Sequence, residues 1–163
     1  MSEKGLSGIT VAAFESRMAV EMTRLIERYG GRPSVAPALR ELPIQDNPTA
    51  LRFGVRLIEG KVDVLVNNAS SFHATKVGAV DTAAWADLMG TNLKAPLFLS
   101  QAAAPALRET RGLIINMVDI HARRPLRAHP VYSAAKAGLV MLTKSLAREL
   151  GPDVRVNGIA PGP

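Results

Sequence analysis

Asp63-Val-Leu-Val-Asn-Asn-Ala-Ser70 is the stretch on which the fold turns. Residues 62–66, apolar but for Asp63, read as a strong strand of the kind that is buried inside a parallel sheet. Asn67 and Asn68 end it, because their side chains readily close an Asx turn. On the N-terminal side, Asn47-Pro48 reads as a cap followed by proline at the first helical position. Leu51, Val55 and Ile58 then recur at helical spacing as the expected buried stripe, and Gly60 stops that helix. On the C-terminal side, Asp81 caps a helix that continues, with a bend near Pro96, to about residue 107.

The same alternation continues in both directions. Residues 113–118 and 154–159 read as buried strands. A helix over 132–150 lies between them, closed by Gly151-Pro152. Toward the N-terminus, residues 9–14 read as a strand. Ser16 caps a following helix whose Met18, Met22, Leu25, Ile26 and Tyr29 sit at helical spacing, and Gly30-Gly31 ends it. Residues 33–38 read as a weaker strand, and residues 39–46 as an extended loop. Five strand–helix alternations predict one three-layer α/β domain over residues 1–163. Its sheet has five parallel strands in the flavodoxin-like order 2-1-3-4-5, with helices on both faces.

Composition sets the outer bounds. A chain of 163 residues has room for one domain with a real core. Its hydrophobic fraction of 47% and charged fraction of 21% are ordinary for a soluble protein. The absence of cysteine excludes disulfides and thiolate chemistry and fits a reducing compartment. No apolar run approaches the roughly 18 residues of a membrane span. Met1-Ser2-Glu3-Lys4 lacks the apolar core of a signal peptide, so a cytoplasmic location is expected, in a bacterial or recombinant cytosol. The net charge of +6 does not predict a nucleic-acid partner. Residues 1–60 balance 8 basic against 7 acidic side chains. The local excess is one loop, Arg123, Arg124 and Arg127, without interleaved aromatics. His73, His121 and His129 lack metal-ligand spacing, so no metal is expected. Trp85 and the methionines read as packing residues.

The chemistry-bearing constellation is Asp119, Tyr132 and Lys136. Tyr132 and Lys136 lie four apart on one helical face, so the ammonium can approach the phenol. A tyrosine near its reference pKa of about 10 is a poor acid-base switch, and a nearby cation favours phenolate. Upstream, however, no Gly-x-x-x-Gly-x-Gly or Gly-x-Gly-x-x-Gly turn occurs. Such glycines let the backbone approach a pyrophosphate seated on a helix N-terminus. In their place stand Glu15 and Ser16, and the glutamate charge opposes an anion.

From Asp63 onward the chain resembles the short-chain dehydrogenase/reductases, and among them the bacterial pteridine reductases. The matching segments are Asp63-Val-Leu-Val-Asn-Asn-Ala-Ser70, Thr91-Asn-Leu-Lys-Ala-Pro96, Tyr132-Ser-Ala-Ala-Lys136 and Val154-Arg-Val-Asn-Gly-Ile-Ala-Pro-Gly162. Asp119 stands where the family's usual active-site serine falls, as in the pteridine reductases. The resemblance implies Tyr132 as proton donor, with Lys136 as its activator and ribose ligand. It implies Asp119 as the tyrosine's partner and Asn92 as a helix-bend residue supporting a proton relay. It further implies cofactor contacts at Asn67, Asn68, Ala69, Lys136, Pro161 and Gly162. In the reductases a substrate loop and a last strand follow, so part of a pterin site is expected to be absent.

Residues 5–60 resemble instead the N-terminal part of bacterial uroporphyrinogen-III synthase, through running similarity such as Leu25-Ile-Glu-Arg-Tyr-Gly-Gly-Arg-Pro33. The two resemblances meet near residues 60–63. The expectation that follows is an engineered chimera: an α/β scaffold without efficient catalysis, carrying inherited site residues and binding no cofactor. The rival expectation is an NADPH-dependent reductase of a pterin or carbonyl. A weaker one is a tetrapyrrole-binding module. In the reductase family the helices at 82–107 and 132–150 pair across a subunit interface. Leu88, Leu93, Leu97, Phe98, Leu139, Leu142 and Leu146 therefore suggest a homodimer.

Overall fold

The computed structural model describes residues 5–15, 18–37, 48–60 and 62–161. The expected caps at Ser16 and Asn47, the loop at 39–46 and Gly162 lie outside the described residues. Five strands form one sheet: β1 (Thr10–Glu15), β2 (Arg32–Pro37), β3 (Val64–Asn67), β4 (Leu113–Met117) and β5 (Arg155–Ile159). Their order is β2-β1-β3-β4-β5 and every pairing is parallel, as expected. The helices are α1 (Ala19–Arg28), α2 (Pro48–Ile58), α3 (Thr82–Met89), α4 (Ala95–Glu109) and α5 (Pro130–Leu150).

The core lies on one face of the sheet. Ala12, Ala36, Leu65, Ile114 and Val156 meet Phe53 of α2, Ala103, Ala104 and Leu107 of α4, and Leu146 and Leu150 of α5. The β1–β2 crossover runs opposite to the other three, so right-handed connection places α1 alone on the second face. That asymmetry corrects one expectation. Of the predicted α1 stripe only Ile26 is buried, while Met18, Leu25 and Tyr29 are about half exposed. Among the described residues no second helix lies on that face to cover its flanks. For the same reason Val64, Val66, Leu113, Ile115 and Met117 are only partly buried.

Two further expectations shift. In α2, Leu51 and Val55 are exposed, and Phe53 supplies the buried contact instead. The bend in the long helix falls ahead of Pro96, in a π-helical turn at Gly90–Lys94. Pro96 itself sits in the first turn of α4, where its missing N–H costs nothing. The Asp81 cap stands as read: its carboxylate accepts from the Ala84 N–H at 2.7 Å.

Gly112 joins α4 to β4 in the tightest backbone crossing of the core. Its N–H closes α4 on the Leu107 carbonyl at 2.8 Å, and the next N–H, of Leu113, reaches the Asp63 carbonyl at 3.1 Å. A Cβ at residue 112 would run into that Asp63 carbonyl and into Leu107. Backbone cannot give way as a side chain can. Gly112→Ala is therefore expected to destabilise the fold by about 1–3 kcal/mol, read as a lowered urea midpoint at unchanged slope.

Candidate active site

The site forms where β3 and β4 end and α5 begins. Asp119 follows β4 and caps a short 3-10 turn, Ile120–Ala122, by accepting the His121 N–H at 2.9 Å on Oδ1. Its Oδ2 accepts the Tyr132 hydroxyl at 2.5 Å. Lys136, one turn further along α5, donates from Nζ to the Met117 carbonyl at 2.9 Å. Both Tyr132 and Lys136 are almost wholly buried. The chain thus brings together Asp119, Tyr132 and Lys136, as their spacing anticipates.

Electrostatics departs from the sequence reading. Burial and the hydrogen bond to Asp119 push the Tyr132 phenol well above its ordinary value, and a Ser70 hydrogen bond opposes them. The push toward phenolate expected from Lys136 does not prevail, because burial and then the direct bond to the carboxylate favour the neutral phenol. The Lys136 ammonium lies 5.7 Å from the ring centroid. Burial pushes Lys136 itself down to about 8, against the pull of Asp119. Burial alone would raise Asp119. The His121 N–H and Tyr132 hydroxyl bonds, with the charges of His121 and Lys136, hold it below the ordinary carboxylate value instead.

Asn92 occupies the π-helical turn and is fully buried. Its Nδ2 donates to the Leu88 and Ser71 carbonyls, both at 2.9 Å, and its Oδ1 accepts the Ser70 hydroxyl at 2.7 Å. The bend is thereby tied to the loop after β3, one hydroxyl away from Tyr132. Sequence reasoning did not nominate Ser70, although it closes the quoted Asn-Asn-Ala-Ser segment. It also passed over Phe72 and His129. Their rings stack at 4.7 Å, and Phe72 meets Tyr132 edge-on at 4.8 Å. No spacing rule could place residues 72, 129 and 132 together. The pin is Thr75, whose N–H donates to the Ala128 carbonyl at 2.7 Å.

The nominated cofactor residues divide. Asn67 turns its side chain into the interior, where Nδ2 reaches Asn116 Oδ1 at 2.8 Å. Its Oδ1 has no partner among the described residues. Ala69 is buried, Asn68 is half-buried and Pro161 is exposed beyond β5. The donor set at the Tyr132–Lys136 end, a hydroxyl and a buried ammonium beside open strand ends, fits the ribose-nicotinamide half of a dinucleotide. The pyrophosphate end has no glycine between Gly8 and Gly30. A groove of about 600 Å³ along α5 and β5 is lined by Asp119 and Pro161 but by neither Tyr132 nor Lys136. Among the described residues no group of three or more His, Asp or Glu side chains could hold a metal ion, and no helix is long and apolar enough to cross a membrane.

The fold is that of a Rossmann-like α/β domain. The short chain dehydrogenase pattern matches residues 42–163, and the chain belongs to that family. A probable galactose dehydrogenase of Rhizobium meliloti is 44% identical over 105 residues, covering 63% of this chain and 41% of the relative. Pteridine reductase 1 of Leishmania tarentolae is 40% identical over 125 residues, covering 63% of this chain and 43% of the relative. The chain spans less than half the length of these curated relatives. In fold it is similar to a short-chain dehydrogenase/reductase of Brucella melitensis, titled glucose/ribitol dehydrogenase. The TM-score is 0.82 at 24% identity, over 99% of this chain and 77% of that one.

These matches overturn the inert chimeric scaffold. The family match begins at residue 42, inside the half expected to come from a synthase, and nothing supports a synthase-derived part. The relatives are named as a probable dehydrogenase and a reductase. With that, the expectation of a chain that binds no cofactor loses its ground.

Asp119 supplies a test of the geometry without turnover. Its carboxyl is depressed in the fold, so the stabilisation is present above the ordinary value of 3.8 and is lost as the pH falls below that through the lower folded value. Asp119→Asn is expected to flatten the acid limb of a stability-versus-pH curve measured by urea unfolding. An unchanged acid limb would mean that the Tyr132 and His121 bonds do not form in solution.

Proposed function

We propose that this chain carries the proton-transfer site of an NADPH-dependent short-chain reductase acting on a carbonyl or imine, with pterins as one substrate class. The single observation that carries the reading is the Tyr132 hydroxyl donating to Asp119 at 2.5 Å with the Lys136 ammonium one turn away. Family membership and the likeness to a pteridine reductase support it. When bound, the nicotinamide supplies the hydride. Lys136 and the strand-end residues Asn67, Asn68 and Ala69 would hold its ribose half, and Pro161 and Gly162 would border the nicotinamide.

The chain's own residues manage the proton. Tyr132 is held neutral at physiological pH, so the phenol arrives at the reduced atom with a proton to give. Once the proton leaves, phenolate faces the Asp119 carboxylate, and like charges at that distance favour rapid reprotonation. Ser70 can turn its hydroxyl from Asn92 toward the phenolate and so links the buried helix bend to the proton donor. Lys136 adds positive charge only while protonated.

Two outcomes follow. NADPH consumption with biopterin or simple aldehydes is expected, and Tyr132→Phe should lower kcat by roughly 100-fold or more. Equal turnover in that variant would overturn the assignment. Reduction should also weaken as the pH rises past about 8, where Lys136 loses its charge. A kcat/KM profile flat across that range would remove Lys136 from the chemistry.

A homodimer through residues 82–107 and 132–150 is proposed in addition. Leu88, Leu139 and Leu146 are spent in the core, whereas Leu97, Phe98 and Met141 remain exposed on α4 and α5. Light scattering across a dilution series is expected to give twice the chain mass at high concentration. Monomer throughout would exclude the pairing.

A further inference from the structure

A row of polar side chains crosses the largely apolar interface between the sheet and its helices, with buried Ser100 of α4 at 3.4 Å from Asn67 Nδ2 beside it. Asn67 on β3 lies opposite Asn116 on β4 in register. Asn67 Nδ2 donates to Asn116 Oδ1 at 2.8 Å, and Asn116 Nδ2 donates to Thr143 Oγ1 on α5 at 3.0 Å. Thr143 in turn donates to the Leu139 carbonyl of its own helix at 2.7 Å. Asn67, Asn116 and Thr143 are each more than nine-tenths buried, and Asn116 is fully enclosed.

Stability does not explain this row. Exchanging two buried hydrogen-bond partners for apolar groups of the same shape is close to neutral. What a hydrogen bond has and a Leu–Ile contact lacks is a fixed distance and direction. The rest of this face of α5 is Ala135, Leu139, Leu146 and Leu150, all buried. Such a surface tolerates small axial sliding.

The helix runs back against the strands, so Thr143 sits over Asn116, Lys136 reaches Met117 and Tyr132 reaches Asp119. Residues 132, 136 and 143 share one face, since a helix turns about 100° per residue. One directional bond in the core therefore sets the depth of both groups at the open end. A misplacement of about 1 Å at a reacting group can cost 100-fold in rate.

We propose that Asn116 and Thr143 are positioning residues, a lock that fixes the axial setting of α5 on β4 and so holds Tyr132 on Asp119. The catalytic half of this inference rests on the reading of Tyr132 as proton donor. The geometric half does not. Gly158 is next in the same row on β5, where an added Cβ would press on Val118 and touch the Thr143 methyl.

The test uses the fact that the chain has two tyrosines. In a Tyr29→Phe background, ultraviolet titration follows Tyr132 alone and needs neither cofactor nor turnover. With the lock intact, Tyr132 stays protonated well above the ordinary 10.0. Thr143→Val keeps the shape and removes the hydroxyl. With native circular dichroism it is expected to titrate Tyr132 closer to 10.0. Its kcat should fall by about 10-fold to 100-fold with KM little changed. Thr143→Ser restores the hydroxyl and both readouts.

A folded Thr143→Val with unshifted titration and kcat would overturn the lock. Should Thr143→Val fail to fold, Thr143→Ser decides. Wild-type titration supports the lock, and a lowered one in a folded protein shows that the methyl, not the hydroxyl, sets the helix. If the wild type reduces no carbonyl or pterin at all, the proposed function fails, while the titration still decides the lock.

Discussion

The in-register parallel pairing of β3 with β4 is the constraint from which the site follows. Because Asn67 pairs with Asn116, β3 stops within one residue of the level at which β4 stops, and both release their chains on the same edge. Beyond that edge the backbone leaves its hydrogen-bonding ladder, and loops can carry side chains toward a common point. Ser70 comes from one strand end and Asp119 from the other. The first turn of α5 lowers Tyr132 between them. The remaining elements serve to keep that level fixed: α4 and α5 press on one face, and the Gly112 crossing ties α4 to β4 without room for a Cβ.

An aspartate in place of the family's usual serine changes the charge arithmetic of the centre. A serine hydroxyl beside Tyr132 would leave the phenol free to respond to Lys136. The Asp119 carboxylate instead keeps the proton on the phenol and is itself depressed by the bonds that it accepts. Lys136, enclosed and bonded to the Met117 carbonyl, sits near its own titration point. The resting centre is therefore a neutral phenol, an anionic carboxylate and a cation held at the edge of neutrality. That arrangement keeps a proton on Tyr132 but leaves the phenol a weaker acid than one tuned near the working pH.

The N-terminal half shows where reading by resemblance went astray. A strand, an amphipathic helix and a strand in succession are common to every open parallel sheet, so running similarity there reports architecture before ancestry. Periodicity also located α1 and α2 without telling which of their sides is buried. Leu51 and Val55 match a helical stripe, yet Phe53 faces the core. Which side is covered depends on the neighbours, and among the described residues α1 has no other helix on its face of the sheet.

Local chemistry fixed much of this protein. Hydrophobic period, caps and glycines gave five strands, their helices and the order of the sheet, because backbone hydrogen bonding and right-handed crossover leave few alternatives. Spacing on one helix gave Tyr132 with Lys136, and resemblance joined Asp119 to them. The tertiary structure alone decided the charge states, since burial and a direct carboxylate contact outweigh a cation one turn away. It alone assembled Phe72, His129 and Thr75 around the phenol, and it alone aligned Asn67, Asn116 and Thr143 across three elements. Contacts between residues far apart in the chain leave no period in the sequence. They exist only once strands in register and a helix at one depth bring them within reach.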